Sequence, residues 1–169
     1  MLTPSYMGFN GGSEGWYQEM VANGATKLRT YGQYLGNRFK AYDNILWVDG
    51  GDYNPPEKLL RRAIANGIND VTPGSLQTFH GVRETSALAF ASGESWLNVN
   101  DIYTSESTVV SNAFTEYARS TMPFFLIEGR YEGETTGTEV VARAQGYQAS
   151  LSGASGHIYG NNPVWLFAS

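Results

Sequence analysis

The chain has no cysteine, which excludes disulfide staples, thiolate nucleophiles and cysteine metal ligands. It also lacks any apolar run of about 18 residues, the length that spans a bilayer as a helix. Charge is sparse: Asp, Glu, Lys and Arg make up 16% of 169 residues, with 11 basic against 16 acidic side chains and a net charge of −5. That balance supplies no basic patch for a phosphate backbone, so no nucleic-acid partner is expected. Arg61-Arg62 is the one adjacent basic pair, so no membrane-surface partner is expected either. The two histidines, His80 and His157, stand far apart without a His-x-x-x-His or cysteine companion, so no metal and no cofactor are expected. No G-x-S-x-G elbow marks a serine hydrolase. The opening residues Met1-Leu2-Thr3-Pro4-Ser5-Tyr6 lack the basic and apolar regions of a signal peptide, and the sequence leaves the compartment undecided.

What is present is glycine, at 20 residues, and aromatic side chains, at 14%. Both suit a folded enzyme with tight loops rather than a disordered chain. A length of 169 residues fits one domain with a sizeable core, so residues 1–169 are expected to form a single domain.

Hydrophobic periodicity alternates between two types along the chain. Residues 1–9 read as a short strand ending in Asn10-Gly11-Gly12. Residues 13–41 carry Trp16, Met20, Leu28, Tyr31, Leu35 and Phe39 at roughly helical spacing, with Ser13 and Glu14 as cap and first-turn acid. Ile45 to Val48 reads as a buried strand, and Pro55-Pro56-Glu57 opens a second helix running to about Asn69. Strands are then expected at 77–80, 96–102, 124–127 and 156–159, with helices at 107–120 and 138–152. This order predicts an α/β fold with parallel strands and right-handed crossovers. A doubly wound nucleotide-binding sheet would need a turn such as G-x-G-x-x-G, which no loop here contains. A (β/α)8 barrel accounts better for the polar residues after each strand, although barrels typically need about 250 residues.

Two carboxylates stand out against this frame. Asp52 follows the strand Ile45-Leu46-Trp47-Val48 through Asp49-Gly50-Gly51, and Glu128 ends Phe124-Phe125-Leu126-Ile127. Acids at the C-terminal ends of two α/β strands suit glycoside hydrolysis, where one carboxyl protonates the leaving oxygen and the other attacks or supports the sugar cation. For Asp52 the competing role is a helix N-cap ahead of Pro55-Pro56; for Glu128 it is a structural ion pair with arginine. A general acid needs a raised pKa, which an apolar neighbour such as Trp47 favours, whereas a nucleophile must stay ionised, a task for Arg130 or a tyrosine hydroxyl. Strand alternation puts Asp49 on the face of Trp47, expected toward the barrel interior, as a buried charge partner or as an aid to Asp52, and Glu132 is expected to orient a loop or a sugar hydroxyl. His80, Asn100, Tyr131, His157 and Tyr159 lie at or near strand ends and are candidates for sugar contact. Trp165 and Trp96 are candidates either for stacking on a sugar ring or for plain core packing.

At this point a family resemblance enters. Asn44-Ile45-Leu46-Trp47-Val48-Asp49-Gly50-Gly51-Asp52-Tyr53-Asn54-Pro55 resembles the fourth-strand motif of the apiosidase-like catalytic domains, grouped with glycoside hydrolase family 140. Thr78-Phe79-His80 resembles their fifth strand and Trp96-Leu97-Asn98-Val99-Asn100 their sixth. Leu126-Ile127-Glu128-Gly129-Arg130-Tyr131-Glu132 is similar to the seventh, where the family more often has Glu-Pro-x-Tyr-Glu. Gly153 to Trp165 resembles the eighth. The resemblance implies an incomplete (β/α)8 barrel of about six βα units, corresponding to strands three to eight. It also implies a retaining mechanism with Asp52 as acid/base and Glu128 as nucleophile, the two carboxyl groups about 5–5.5 Å apart rather than the about 6.5–9.5 Å of inversion.

The expected function is therefore a retaining glycoside hydrolase acting on a plant-type or other complex glycan. The alternatives are a non-catalytic carbohydrate-binding or interaction module derived from a shortened barrel, and a gene fragment without an evolved role. The resemblance also implies that relatives are often exported. Because six parallel strands leave open edges, a homo-oligomer that covers those edges is expected.

Overall fold

A computed structural model describes residues 1–166. The chain forms two compact units: residues 1–82 with 87–99, and residues 83–86 with the chain from Asn100 onward. Each is an α/β assembly of a small open sheet and flanking helices. No described helix is long and apolar enough to cross a membrane.

In the first unit, helix α1 (Tyr17–Phe39) precedes strand β1 (Leu46–Gly50), helix α2 (Lys58–Val71) and strand β2 (Leu76–His80). β1 and β2 pair in parallel from Leu46 opposite Leu76 to Gly50 opposite His80, the arrangement a right-handed βαβ crossover produces. α1 is kinked at Gly24, whose φ of 70° lies outside the helical region. Its contact with α2 depends on two glycines. A Cβ on Gly32 would overlap the carbonyl oxygen of Ile64, and one on Gly67 would overlap that of Arg29. Beside this contact Asp70 accepts two hydrogen bonds from Arg29, at 2.8 and 2.7 Å, and one from Gln33 at 2.9 Å.

The face of β1–β2 that carries Trp47, Asp49, Gln77 and Phe79 packs on the helices. Trp47 meets Phe39 of α1 edge to face, with ring centroids 5.9 Å apart. Gln77 donates to the Ala65 carbonyl of α2, and Phe79 lies under the guanidinium of Arg61. Trp47 and Asp49 do share a face, as alternation requires, but it is the helix side of the sheet and not an interior cleft. Asp49 is 4% exposed, and burial raises its carboxyl to about pKa 7 against the opposing pull of Arg61. Arg61, itself buried, is held by Glu94 at 3.3 Å and by the faces of Phe79 and Phe90. Trp96 is 1% exposed, which makes it core.

In the second unit, strand β3 (Thr85–Ser86) pairs antiparallel with strand β4 (Asn100–Tyr103), which in turn pairs in parallel with strand β5 (Phe124–Glu128). Helix α3 (Ala87–Ala91), which follows β3 in the chain, belongs to the first unit. Helices α4 (Val109–Arg119) and α5 (Glu139–Leu151) cover one side of β4–β5 through Ile102, Val109, Ala113, Phe124, Leu126 and Ala149. Thr138 caps α5 by accepting from the Val141 N–H at 3.2 Å.

Several expectations need correction. Residues 1–9 form isolated bridges, Leu2 to Trp47 and Tyr6 to Gly50, and not a continuous strand, because Pro4 has no N–H to give a ladder. Residues 156–159 contribute one bridge, His157 to Leu126. Within 96–102 the strand begins only at Asn100. Ser13 does not cap α1, which begins at Tyr17 without a side-chain cap. Strand β3 and helix α3 were not expected; two and five residues long, they are too short to show a period.

Asp49 makes a pH prediction. A carboxyl whose folded pKa exceeds its unfolded one contributes stability that is complete below the unfolded value of about 3.9 and is lost as pH rises through about 7. Asp49→Asn is expected to melt close to the parent near pH 4 and above it near pH 8, measured by differential scanning calorimetry across that range.

Candidate active site

The Gly50-Gly51 pair is what allows Asp52 to stand where it does. Both glycines have positive φ, 94° and 118°, and Asp52 itself is left-handed at 53°, a costly backbone for a side-chain-bearing residue. A Cβ on Gly50 would lie 2.5 Å from the His80 carbonyl oxygen, and one on Gly51 would overlap the ring of Tyr6. The chain therefore leaves β1 tightly, with the Gly51 N–H donating to the His80 carbonyl at 2.7 Å. Asp52 is half-buried and accepts from the Tyr6 hydroxyl at 3.2 Å. A carboxylate oxygen of Asp52 and a ring nitrogen of His80 lie within 4.8 Å of each other. The N-cap of α2 is Glu57, so Asp52 does not fill that structural role. Glu57 instead accepts from the Tyr17 hydroxyl; burial, and then that carboxylate, raise the phenol's pKa.

In the second unit Glu128 ends β5, half-buried. A register irregularity between Ile102 and Tyr103 sets Tyr103 opposite Glu128. Arg83 donates to the Tyr103 hydroxyl at 3.2 Å with its guanidinium over that ring. Burial pulls the Arg83 pKa down, but Tyr103 and the carboxylates of Glu128 and Glu84 outweigh it and leave it raised. Arg130, the cation expected beside Glu128, reaches Glu106 at 3.3 Å and Glu134 at 3.8 Å. Arg83 was missed because it stands in no strand motif; the signal available was an arginine three residues beyond the strand-end His80.

Arg83 is placed by its neighbour. Glu84 has a positive φ of 62°, and its N–H donates to the Tyr103 carbonyl at 2.7 Å. Its carboxylate gathers donors from the start of α4: the Ser105 N–H at 2.8 Å, the Thr108 hydroxyl at 3.0 Å and the Asn112 amide at 2.7 Å. Burial acts against the charge, yet these donors bring its pKa down to about 2.

The remaining candidates are dispersed. Tyr131 and Trp165 meet edge to face, centroids 6.1 Å apart, along a cavity of about 480 Å³ that Ile127 and Ile158 also line. Tyr159 donates to Glu132, and this hydrogen bond raises the phenol's pKa. The backbones of Glu132 and Asn161 form a parallel bridge. The exposed His157 ring lies against Gly146 of α5, where any Cβ would meet it. Asn100 is 1% exposed and donates to Glu116 of α4 at 2.9 Å, a buried position that a sugar hydroxyl does not reach.

The small open sheets and flanking helices make a partial, unclosed α/β fold, and comparison with known proteins relates it to glycoside hydrolases. The chain matches the apiosidase-like catalytic domain over residues 1–169 and belongs to that family. Among solved structures it is similar to a glycoside hydrolase family 5 protein from Bacteroides vulgatus, at 26% identity and a TM-score of 0.73, over 85% of this chain and 37% of that one. A second structure, a glycoside hydrolase at 21% identity and a TM-score of 0.76, aligns over 86% of this chain and 40% of its own. The chain thus spans less than half the length of either structure. No curated protein matches it.

The Glu84 anchor has a measurable consequence. A carboxylate with a depressed folded pKa contributes stability that is present above about 4.5 and lost as pH falls toward about 2. Glu84→Gln is expected to lower the melting temperature at pH 7, with the gap to the parent closing as pH falls through that window in thermal melts monitored by circular dichroism.

Proposed function

We propose that this chain carries the catalytic groups of a retaining glycoside hydrolase acting on a plant-type or other complex glycan. The observation that supports this most is that Asp52 stands just after one parallel strand and Glu128 at the end of another, in a chain of the apiosidase-like family. In this proposal residues 1–169 make one partial barrel domain of about six βα units, equivalent to strands three to eight of a (β/α)8 fold.

Glu128 attacks the anomeric carbon while Asp52 protonates the departing glycosidic oxygen, which leaves a glycosyl–Glu128 ester and a free leaving group. Asp52, now a carboxylate, takes a proton from water; the resulting hydroxide displaces Glu128 and the acid is restored. Tyr6, donating to Asp52 at 3.2 Å, holds the carboxyl group in one orientation. Arg83, which interacts electrostatically with Glu128, supplies the positive charge on this side of the site. His80, Tyr131, His157, Tyr159 and Trp165 are the proposed sugar contacts, with Trp165 and Tyr131 offering aromatic faces. The chemistry needs no cofactor.

Glu128→Gln and Asp52→Asn are each expected to reduce turnover of an aryl glycoside by at least about a hundredfold with little change in melting temperature. Full activity in either variant would contradict its assigned role. Sugar binding that survives both substitutions, in a parent that turns over no aryl glycoside, would favour a binding module instead.

We also propose that copies of the chain associate through the open edges of their small sheets, since unpaired strand edges invite pairing. Light scattering at micromolar concentration is expected to give a mass above that of one 18.5 kDa chain. A monodisperse monomer would contradict association.

A further inference from the structure

Phe9 is 65% exposed, yet its backbone is among the most constrained in the first unit. It opens a single 3₁₀ turn (Phe9–Gly11); Asn10 and Gly11 within the turn and Gly8 just before it have positive φ, at 53°, 71° and 88°. The Gly11 N–H donates to the Gly8 carbonyl and the Gly12 N–H to the Phe9 carbonyl, both at 2.9 Å. Gly15 packs so closely on Gly8 that a Cβ would overlap the Gly8 nitrogen, and Gly11 lies against the rings of Tyr53 and Tyr17. Those two rings are themselves fixed edge to face at 4.9 Å. The turn is tied to the candidate acid as well: the Asn10 N–H donates to the backbone carbonyl of Asp52 at 3.2 Å.

Left-handed backbone at a non-glycine residue costs about 1–3 kcal/mol and persists where the surroundings over-determine it, typically at functional sites. Here it presents one large apolar ring to solvent, one residue from the contact with Asp52. Because the backbone that carries it is set before any ligand arrives, the ring needs no loop ordering to bind. Its flat face suits the axial C–H face of a sugar.

We propose that Phe9 is a stacking platform for the sugar ring on the leaving-group side of Asp52. The inference rests on the glycoside hydrolase proposal for the word leaving, since the acid is the group nearest the departing oxygen. The platform reads shape and the C–H face and supplies no charge, so it selects a neutral sugar residue at that position. Motif reading passes over Phe9 because it belongs to no strand end.

The test is a titration of the chain, with ring-labelled phenylalanine, followed by NMR. The probes are soluble cello-, xylo-, arabino- and galacto-oligosaccharides, and the Phe9 signal is assigned by its loss in Phe9→Ala. At least one probe is expected to shift the Phe9 ring resonances. Calorimetry is expected to show that probe binding about tenfold more weakly to Phe9→Ala, in line with the value of one aromatic contact, and with undiminished affinity to Phe9→Trp. A Phe9 resonance that no probe moves, or equal affinity in Phe9→Ala, would overturn the platform. Asp52→Asn in the same titration separates the two proposals. A Phe9 shift that persists in Asp52→Asn supports the platform. Unimpaired turnover in Asp52→Asn would overturn the leaving-side placement.

Discussion

One hydrogen bond sets the geometry of the first unit's site: the Gly51 N–H to the His80 carbonyl, 2.7 Å, at the end of the β1–β2 ladder. Parallel register places Gly50 opposite His80, and this bond extends the pairing one residue beyond β1. Everything near Asp52 follows from the backbone that the bond requires. Two glycines in left-handed conformations are needed, because side chains there would run into His80 and the ring of Tyr6. Asp52 inherits a left-handed φ of its own, with its carboxylate within reach of Tyr6 and near His80. Below the ladder, Asp49 and Arg61 occupy the opposite, helix-packed side. Two acids three residues apart thus have different surroundings, one buried with a raised pKa and one half-buried in the turn after β1.

The second unit solves the same problem with charge. Glu84 spends its carboxylate on the N-terminal turn of α4, where the Ser105 N–H and the Thr108 and Asn112 side chains converge. That anchor fixes the residue before β3 and with it Arg83, whose guanidinium covers Tyr103 and interacts electrostatically with Glu128. An exposed glutamate in the short link between β2 and β3 therefore anchors the segment that carries Arg83.

Much of this was legible in the sequence, and the division has physical causes. Helices α1, α2, α4 and α5 were legible as elements, although of the stripe expected on α1 Met20 and Leu28 are buried while Trp16 and Tyr31 are exposed. β1 and β5 were legible as short apolar runs. Glu128 could be singled out because an acid directly after such a run is conspicuous, and Asp52 because it follows a run through a Gly-Gly turn. The sheet face of Asp49 was beyond reach, since alternation says which residues share a face but not which face meets helices. Arg83, Glu84 and Phe9 were invisible for another reason: their importance comes from left-handed backbone and from long-range hydrogen bonds, neither of which leaves a periodic trace. Asn100 looked like a strand-end contact and is instead held by Glu116, because β4 starts where the motif was expected to end.

The account's central claim is a covalent step at one carboxylate. Intact and peptide mass spectrometry after incubation with a panel of 2-deoxy-2-fluoroglycosyl fluorides tests it directly, because such reagents form the glycosyl–enzyme ester faster than it is hydrolysed. The predicted result is a stoichiometric adduct of one fluorosugar, located on the peptide containing Glu128. An adduct on another carboxylate, or no adduct from any member of the panel, would contradict it.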